Sequence, residues 1–217
     1  MATFSVSKSF TWHGTITEKV ALVCRVFGLT ADDLREKSIS HKCRLEIKEG
    51  DIVYITGPSG TGKSVLMREL EKCIPQEQRV SLGEIELPND RTVIDCIEGD
   101  LLTTLKMFSV AGLNDTFCVL NQPSNLSEGE KWRFRLAVAI SKKKKYVFAD
   151  EFCSNISRLG ALVISYSVHK YARRYGTTFI LASTSQDILA ELSPDVLVST
   201  QMYGPSEVTY KKKGWAR

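Results

Sequence analysis

The sequence predicts an α/β fold: a mostly parallel central sheet, a short helical insertion, and a small β/helical part at the N-terminus. Three observations carry that prediction. Short β-branched apolar runs recur along the chain, helical patterns alternate with them, and the composition is that of a globular domain. Of 217 residues, 43% are apolar and 25% charged, close to globular averages. A chain of this length buries about 70% of its unfolded surface, enough for one full core. Residues 1–217 are therefore expected to form a single domain, with about 92–125 as the helical insertion. No stretch approaches the ~18 apolar residues of a membrane span. Polar residues punctuate the first twenty positions, so no signal peptide is expected and the predicted location is cytoplasmic. Six cysteines form no C-x-x-C pair, which argues for reduced thiols rather than a zinc or dithiol site.

The elements follow in chain order. Residues 1–10 alternate weakly through Phe4, Val6 and Phe10 and read as an edge strand. Thr17 to Phe27 reads as a helix that Gly28 stops, and Thr30 to Leu34 as a second capped turn. Leu45-Glu46-Ile47 alternates, and Gly50-Asp51 turns the chain. Ile52 to Thr56 is β-branched and uncharged, as a strand buried on both faces must be. Tyr146 to Ala149, Thr178 to Ala182 and Val196 to Val198 have the same character. Helical patterns fall at about 64–73, 128–141 and 158–175. Between Thr92 and Pro123 the residues Leu101, Leu102, Leu105, Phe108 and Val110 recur at helical spacing.

The chemistry begins where the first buried strand ends. Gly57-Pro58-Ser59-Gly60-Thr61-Gly62-Lys63-Ser64 fits G-x-x-x-x-G-K-[ST], and a helical run opens at Val65. Glycines let backbone N–H groups curl around phosphate oxygens, and the new helix aims its positive end at the same anion. In this P-loop, Gly57 through Val65 are expected to bind the nucleotide. Lys63 reaches the β- and γ-phosphates and Ser64 ligates Mg²⁺. A second anchor is Asp150-Glu151, directly after the apolar run 146–149. Carboxylates at the C-terminal end of a parallel strand lie where α/β ligands bind. Asp150 is expected to hold Mg²⁺, and Glu151 to polarise the attacking water.

Between these anchors stands Leu126-Ser127-Glu128-Gly129-Glu130, followed by Arg133, Arg135, Leu136, Ala137 and Ala139. This resembles the LSGGQ signature of the ABC-type ATPases and the helix after it. The order of P-loop, insertion, signature and Asp-Glu strand matches as well, over about residues 45–200. The resemblance implies a P-loop NTPase fold and ATP hydrolysis in a dimer that sandwiches two ATP molecules. Ser127 and Gly129 of one subunit would then face the ATP held by the other. As a plain reading of the residues, Ser127 is also a helix N-cap with Glu130 as its capping-box partner.

The sequence departs from the family's pattern at several points. Glu128 and Glu130 replace the second glycine and the glutamine of the signature. Ser154-Asn155-Ile156-Ser157 replaces the D-loop, with Ser157 at its aspartate. No histidine follows the strand 178–182, where Thr184 is the replacement by spacing and Gln186 lies close by. No Q-loop glutamine is secure, with Asn89 and Gln78 as weak candidates. The insertion is short, as in the compact soluble members of archaea and viruses.

The expected function is ATP-dependent, with ATP and Mg²⁺ as the bound species and a homodimer as the working form. The basic runs Lys142–Lys145 and Lys211–Lys213 suggest nucleic acid as a partner, in maintenance or defence; a solvated loop and tail is the plainer reading. The alternatives are an energising subunit for a separate membrane chain and a nucleotide-gated module with little hydrolysis. Phe108, Phe117 and Val119 would supply an apolar groove for the membrane chain. Trp12 or Phe10 is a candidate to stack on adenine, with packing as the plainer role. The scattered His13, His41 and His169, and Trp132 and Trp215, suggest no site of their own.

Overall fold

The computed structural model describes residues 2–10, 14–30, 32–33, 39–201 and 205–211, with backbone alone at 7–10 and 39–42. Trp12, His13, Trp215, Lys212 and Lys213 lie outside the described residues, as do the side chains of Phe10 and His41.

An antiparallel pair, β1 (Ala2–Phe10) and β2 (Ile39–Ile47), flanks a six-stranded sheet. That sheet contains β3 (Ile52–Thr56), β4 (Arg79–Ser81), β5 (Tyr146–Ala149), β6 (Thr178–Ala182), β7 (Val196–Ser199) and β8 (Glu207–Tyr210). Its order is β4-β5-β6-β3-β7-β8, parallel throughout except for the last strand. The chain is therefore α/β with a mostly parallel sheet. The runs at 52–56, 146–149 and 178–182 lie where their composition puts them. Every residue of these three strands is buried.

The pleat divides each strand between two cores. Val53, Ile55, Phe148 and Ile180 face Leu66, Met67 and Leu70 of α2 (Lys63–Lys72), together with Leu45 and Ile47. Ile52, Tyr54, Val147, Phe179 and Leu181 face the larger helical layer. That layer holds α3 (Leu101–Ala111), α4 (Thr116–Leu120), α5 (Glu128–Ser141) and α6 (Arg158–Tyr175). A short α7 (Leu189–Leu192) leads into β7. The N-terminal helix α1 (Glu18–Val26) is capped by Thr17 and buries Cys24 alone. Thr30 and Asp33 bond each other's backbone N–H groups, as a capped turn requires.

The insertion is helical, as its periodicity predicts. Thr104, Met107, Phe108 and Ala111 form the inward stripe of α3, the i, i+3, i+4, i+7 set of a single face. Leu101, Leu102 and Leu105 are exposed. Phe108 and Val119 are core residues, so they cannot line the groove expected of them, whereas Phe117 is 86% exposed. Two strands have no counterpart in the expected elements. β4 has three residues, one an arginine, and β8 is an exposed antiparallel edge.

Candidate nucleotide site

The P-loop begins at the C-terminal end of β3, the central strand. Two glycine positions fix its path. Gly57 has φ +143° and lies so close to the Thr200 backbone that a Cβ would collide with it. Gly62 has φ +83° and caps α2 without a side chain, a conformation that glycine adopts without strain. Thr200, just past β7, braces the loop. Its N–H donates to the Thr56 carbonyl at 2.7 Å, and its hydroxyl lies 2.6 Å from that of Thr61. Thr61, itself buried, also donates to the Pro58 carbonyl at 2.8 Å. Thr200 escaped the sequence reading. Its only signal there is a polar residue ending an apolar strand.

A cleft of about 540 Å³ opens above this loop. Ser59, Gly60, Gly62, Lys63, Ser64 and Val65 line one side. Asp150, Glu151 and Ser154 line it from the turn after β5, and Ala182, Ser183 and Thr184 from the end of β6. The two sequence anchors, 86 positions apart (150 − 64), thus share one cavity. Gly57, Pro58 and Thr61 shape the loop rather than the cleft wall. Asn89 and Gln78 do not line the cleft.

Lys63 donates to the carbonyls of Gly57 and Pro58 at 2.9 and 2.8 Å. Burial pushes its ammonium down from the ordinary lysine range, and the charge of Asp150 opposes that shift. Asp150 accepts the Glu151 N–H at 2.9 Å. Glu151 has φ +49° and Cys153 φ +59°, uncommon for residues with a side chain and concentrated at functional turns. Phe152 pins this turn by donating its N–H to the Ala182 carbonyl at 2.8 Å. The loop after β6 is held from below, where the buried Tyr54 hydroxyl donates to the Ser185 carbonyl. Burial raises that hydroxyl to about 12.

Hard oxygen donors from Ser64 and Asp150 meet in one cleft, while no group of three His, Cys, Asp or Glu side chains suited to a metal occurs among the described residues. That set fits Mg²⁺, which takes one or two protein oxygens and completes its shell with phosphate and water.

Ser127 and Gly129 are not in this cleft. Ser127 caps α5, and the capping box is complete. The Ser127 N–H and hydroxyl donate to Glu130 at 2.8 and 2.7 Å, and the Glu130 N–H returns to the Ser127 hydroxyl at 3.4 Å. Cys118 donates to the other Glu130 oxygen at 2.8 Å. The Cys118 and Ser127 bonds hold the Glu130 carboxyl down to about 2. Glu128 turns outward to Lys131 at 2.9 Å. Gly129 packs against the 154–157 segment, where a Cβ would lie 2.9 Å from the Asn155 carbonyl oxygen. Ser157 caps α6 through the Gly160 N–H at 3.3 Å.

Two of the four ammonium groups of the lysine run, those of Lys144 and Lys145, are committed to the fold. Lys144 donates to the Glu77 carbonyl at 2.8 Å. Lys145 pairs with Glu49 at 3.4 Å and lies over the Tyr146 ring. Lys142 is the C-cap of α5.

No protein-family model matches the chain. An aliphatic sulfonates import ATP-binding protein of Rhodococcus jostii is 27% identical over 178 residues, covering 75% of this chain and 73% of that protein. A methionine import ATP-binding protein of Burkholderia pseudomallei is 24% identical over 197 residues, covering 73% and 56%. The chain thus spans about three quarters of one relative and little more than half of the other. Among solved structures, an ATP-binding cassette in a dimeric post-hydrolysis state with ADP and Pi superposes with a TM-score of 0.65 at 17% identity. That match covers 81% of this chain and 92% of the cassette. A cassette from Clostridium perfringens, part of an ABC transporter complex, gives 0.60 at 16% identity, covering 76% and 79%. With its P-loop set between a buried strand and a helix and its parallel sheet, the chain is similar in sequence to ATP-binding proteins of ABC transporters and has the fold of ABC ATPase cassettes.

Proposed function

We propose that residues 1–217 act as one nucleotide-binding domain, with 92–125 as an inserted helical subdomain. In this reading it hydrolyses ATP as a sandwiched homodimer and energises a transport protein whose membrane part is a separate chain. The observation that carries the catalytic reading is the single cleft shared by Lys63, Ser64, Asp150 and Glu151. The transport reading rests on relatives named as import ATP-binding proteins. The exposed Leu101, Leu102, Leu105, Phe117 and Leu120 of the insertion also favour a protein partner. No helix of the described residues is long and apolar enough to cross a membrane, and a place at the cytoplasmic face suits this role. The lysine run gives little support to a nucleic-acid partner, because Lys144 and Lys145 already bond the Glu77 carbonyl and Glu49.

The mechanism follows from the cleft. Lys63 exchanges two carbonyl partners for phosphate oxygens, to which its charge is better matched. The loop N–H groups and the N-terminus of α2 cradle the same anion. Ser64 and Asp150 would hold Mg²⁺, which when bound neutralises charge on the phosphates. Glu151 accepts a proton from the water that attacks the γ-phosphorus, and the bond to the ADP oxygen breaks to release ADP and phosphate. Positioning and charge neutralisation supply most of the rate. Ser127 and Gly129 lie off their own chain's cleft, at the N-terminus of α5, from which the backbone N–H groups would close the site of a second copy.

Turnover by the purified protein tests this reading. Glu151→Gln should lower hydrolysis at least about 100-fold, within the range of general-base removal, and should trap an ATP-dependent dimer seen by size-exclusion chromatography. Unchanged hydrolysis would remove Glu151 from the mechanism. Double-stranded DNA at low salt should leave wild-type turnover unchanged. One observation favours a second reading, a nucleotide-gated module with little hydrolysis: Ser183, Thr184 and Ser185 follow β6 with no imidazole. ATP binding with turnover no higher than that of Glu151→Gln would select it.

A further inference from the structure

A second cleft, of about 640 Å³, opens between α3 and α6 and shares no lining residue with the nucleotide cleft. The two are far apart. Arg158, at the first turn of α6, pairs with Asp187 in the loop beyond Thr184 at 3.2 Å. The second cleft lies along the other end of that helix, from Ser167 to Tyr175. The 18 residues of α6 span roughly 27 Å at 1.5 Å per residue.

Its walls are cationic. Lys106 comes from α3, and Lys170, Arg173 and Arg174 from α6, with no carboxylate among the lining residues. Arg173 is committed to Asp195 at 2.7 and 2.9 Å. The last-turn position of Arg173 and Arg174 is explained by the negative end of the helix dipole. Lys106 and Lys170 lie inside different helices at exposed positions, so the helix dipole does not account for their meeting at one cleft. Among the described residues no acid pairs with Lys106, Lys170 or Arg174. Lys170 and Arg174 lie over the Tyr166 and Tyr175 rings, each at 5.4 Å. Gathering unpaired like charges around a cavity is unfavourable until an anion enters.

The floor is apolar and aromatic. Met107 and Tyr171 are buried, and the Tyr171 and Tyr175 rings sit 4.5 Å apart. The volume falls in the ~300–1,000 Å³ range of small-molecule sites, which combine apolar walls with a few converging polar groups. Excess positive charge selects an anion, and the ring pair selects a flat or apolar body.

We propose that this cleft is a second ligand site that takes a small organic phosphate. The phosphate sits among Lys106, Lys170 and Arg174, and the organic body lies against Met107 and the tyrosine pair. An occupant would bridge the insertion and the core, because the walls belong one to each.

Calorimetric titration of the intact protein in saturating MgADP tests the site, with adenosine monophosphate and phenyl phosphate as probes. Both should bind with MgADP present. Affinity should fall at least about 100-fold in the Lys106→Glu/Lys170→Glu double variant, the loss of two charge-assisted contacts. Lys106→Gln, a milder change on an exposed helix face, should give a smaller loss. MgADP affinity of both variants should stay at the wild-type value and so report an intact fold. Adenosine and phenol should not bind. Displacement of the probes by MgADP would assign the phosphate to the P-loop and overturn the proposal. So would equal affinity in the variants, or inorganic phosphate binding as tightly as phenyl phosphate. Preference for an acidic peptide over both probes would make the cleft a protein-docking face instead.

Discussion

The P-loop cleft and the start of α5 are both built at helix N-termini, yet in opposite ways. In the cleft the key groups hold provisional partners. Lys63 bonds the carbonyls of its own loop, and Glu151 is exposed at a turn with positive φ. At the start of α5 every hydroxyl and carboxylate is occupied internally. Ser127, Glu130 and Cys118 close a ring of hydrogen bonds. The difference separates groups that can change partner cheaply from groups that must break a cap to do so. An ATP bound by a second copy would therefore meet mainly the backbone N–H groups at the α5 N-terminus, unless the Ser127 hydroxyl leaves Glu130.

Four substitutions sharpen or break that contrast. Lys63→Ala should weaken ATP binding by about 100-fold or more, as expected for two charge-assisted contacts. Equilibrium dialysis would show it, and the melting temperature without nucleotide should hardly move. Gly129→Ala should cost about 1–3 kcal/mol of stability, because the added Cβ meets the Asn155 carbonyl rather than a flexible side chain. A denaturant midpoint equal to wild type would show that the 154–157 segment yields. Ser127→Ala should cost about 1 kcal/mol with no ATP present, the ordinary value of an N-cap. A loss seen only in the ATP-bound dimer would mean that the hydroxyl serves the nucleotide and not the cap.

Glu130→Gln should carry its full cost at neutral pH, since the amide keeps an acceptor for the Ser127 N–H but loses the charge and the second acceptor oxygen. Its signature lies in acid. The folded-state carboxyl is held at about 2, against an ordinary value of 4.5. Its stabilisation is therefore complete above about pH 4.5 and is lost as pH falls towards 2. The wild-type-minus-variant difference in unfolding free energy should shrink across that window, and a flat difference would contradict the assignment.

The sequence made the strand–loop–helix core legible because burial on both faces writes itself as a continuous apolar run, as in Ile52–Thr56 and Thr178–Ala182. The loop between β3 and α2 was legible because its signature is local, eight residues at fixed spacing. What stayed hidden depends on long-range partners. Nothing near Lys144 or Lys145 announces the Glu77 carbonyl or Glu49. The inward face of α3 was not legible because Leu101, Leu102 and Leu105 are apolar yet exposed, and hydrophobicity alone does not distinguish a core face from an exposed one. β4 and β8 were invisible for complementary reasons, the first too short to show a period and the second too exposed to need one.

The contact between Gly57 and Thr200 has one further consequence. The loop that must wrap an anion is clamped to the end of β7 through the Thr200 N–H and the Thr61–Thr200 hydroxyl pair. Much of its conformational entropy is therefore already lost in the empty protein, and ligand capture need not supply that ordering. Amide hydrogen exchange should register this directly. The Thr200 N–H should exchange slowly with or without nucleotide, while the unbonded N–H groups that face the cleft gain protection only on binding.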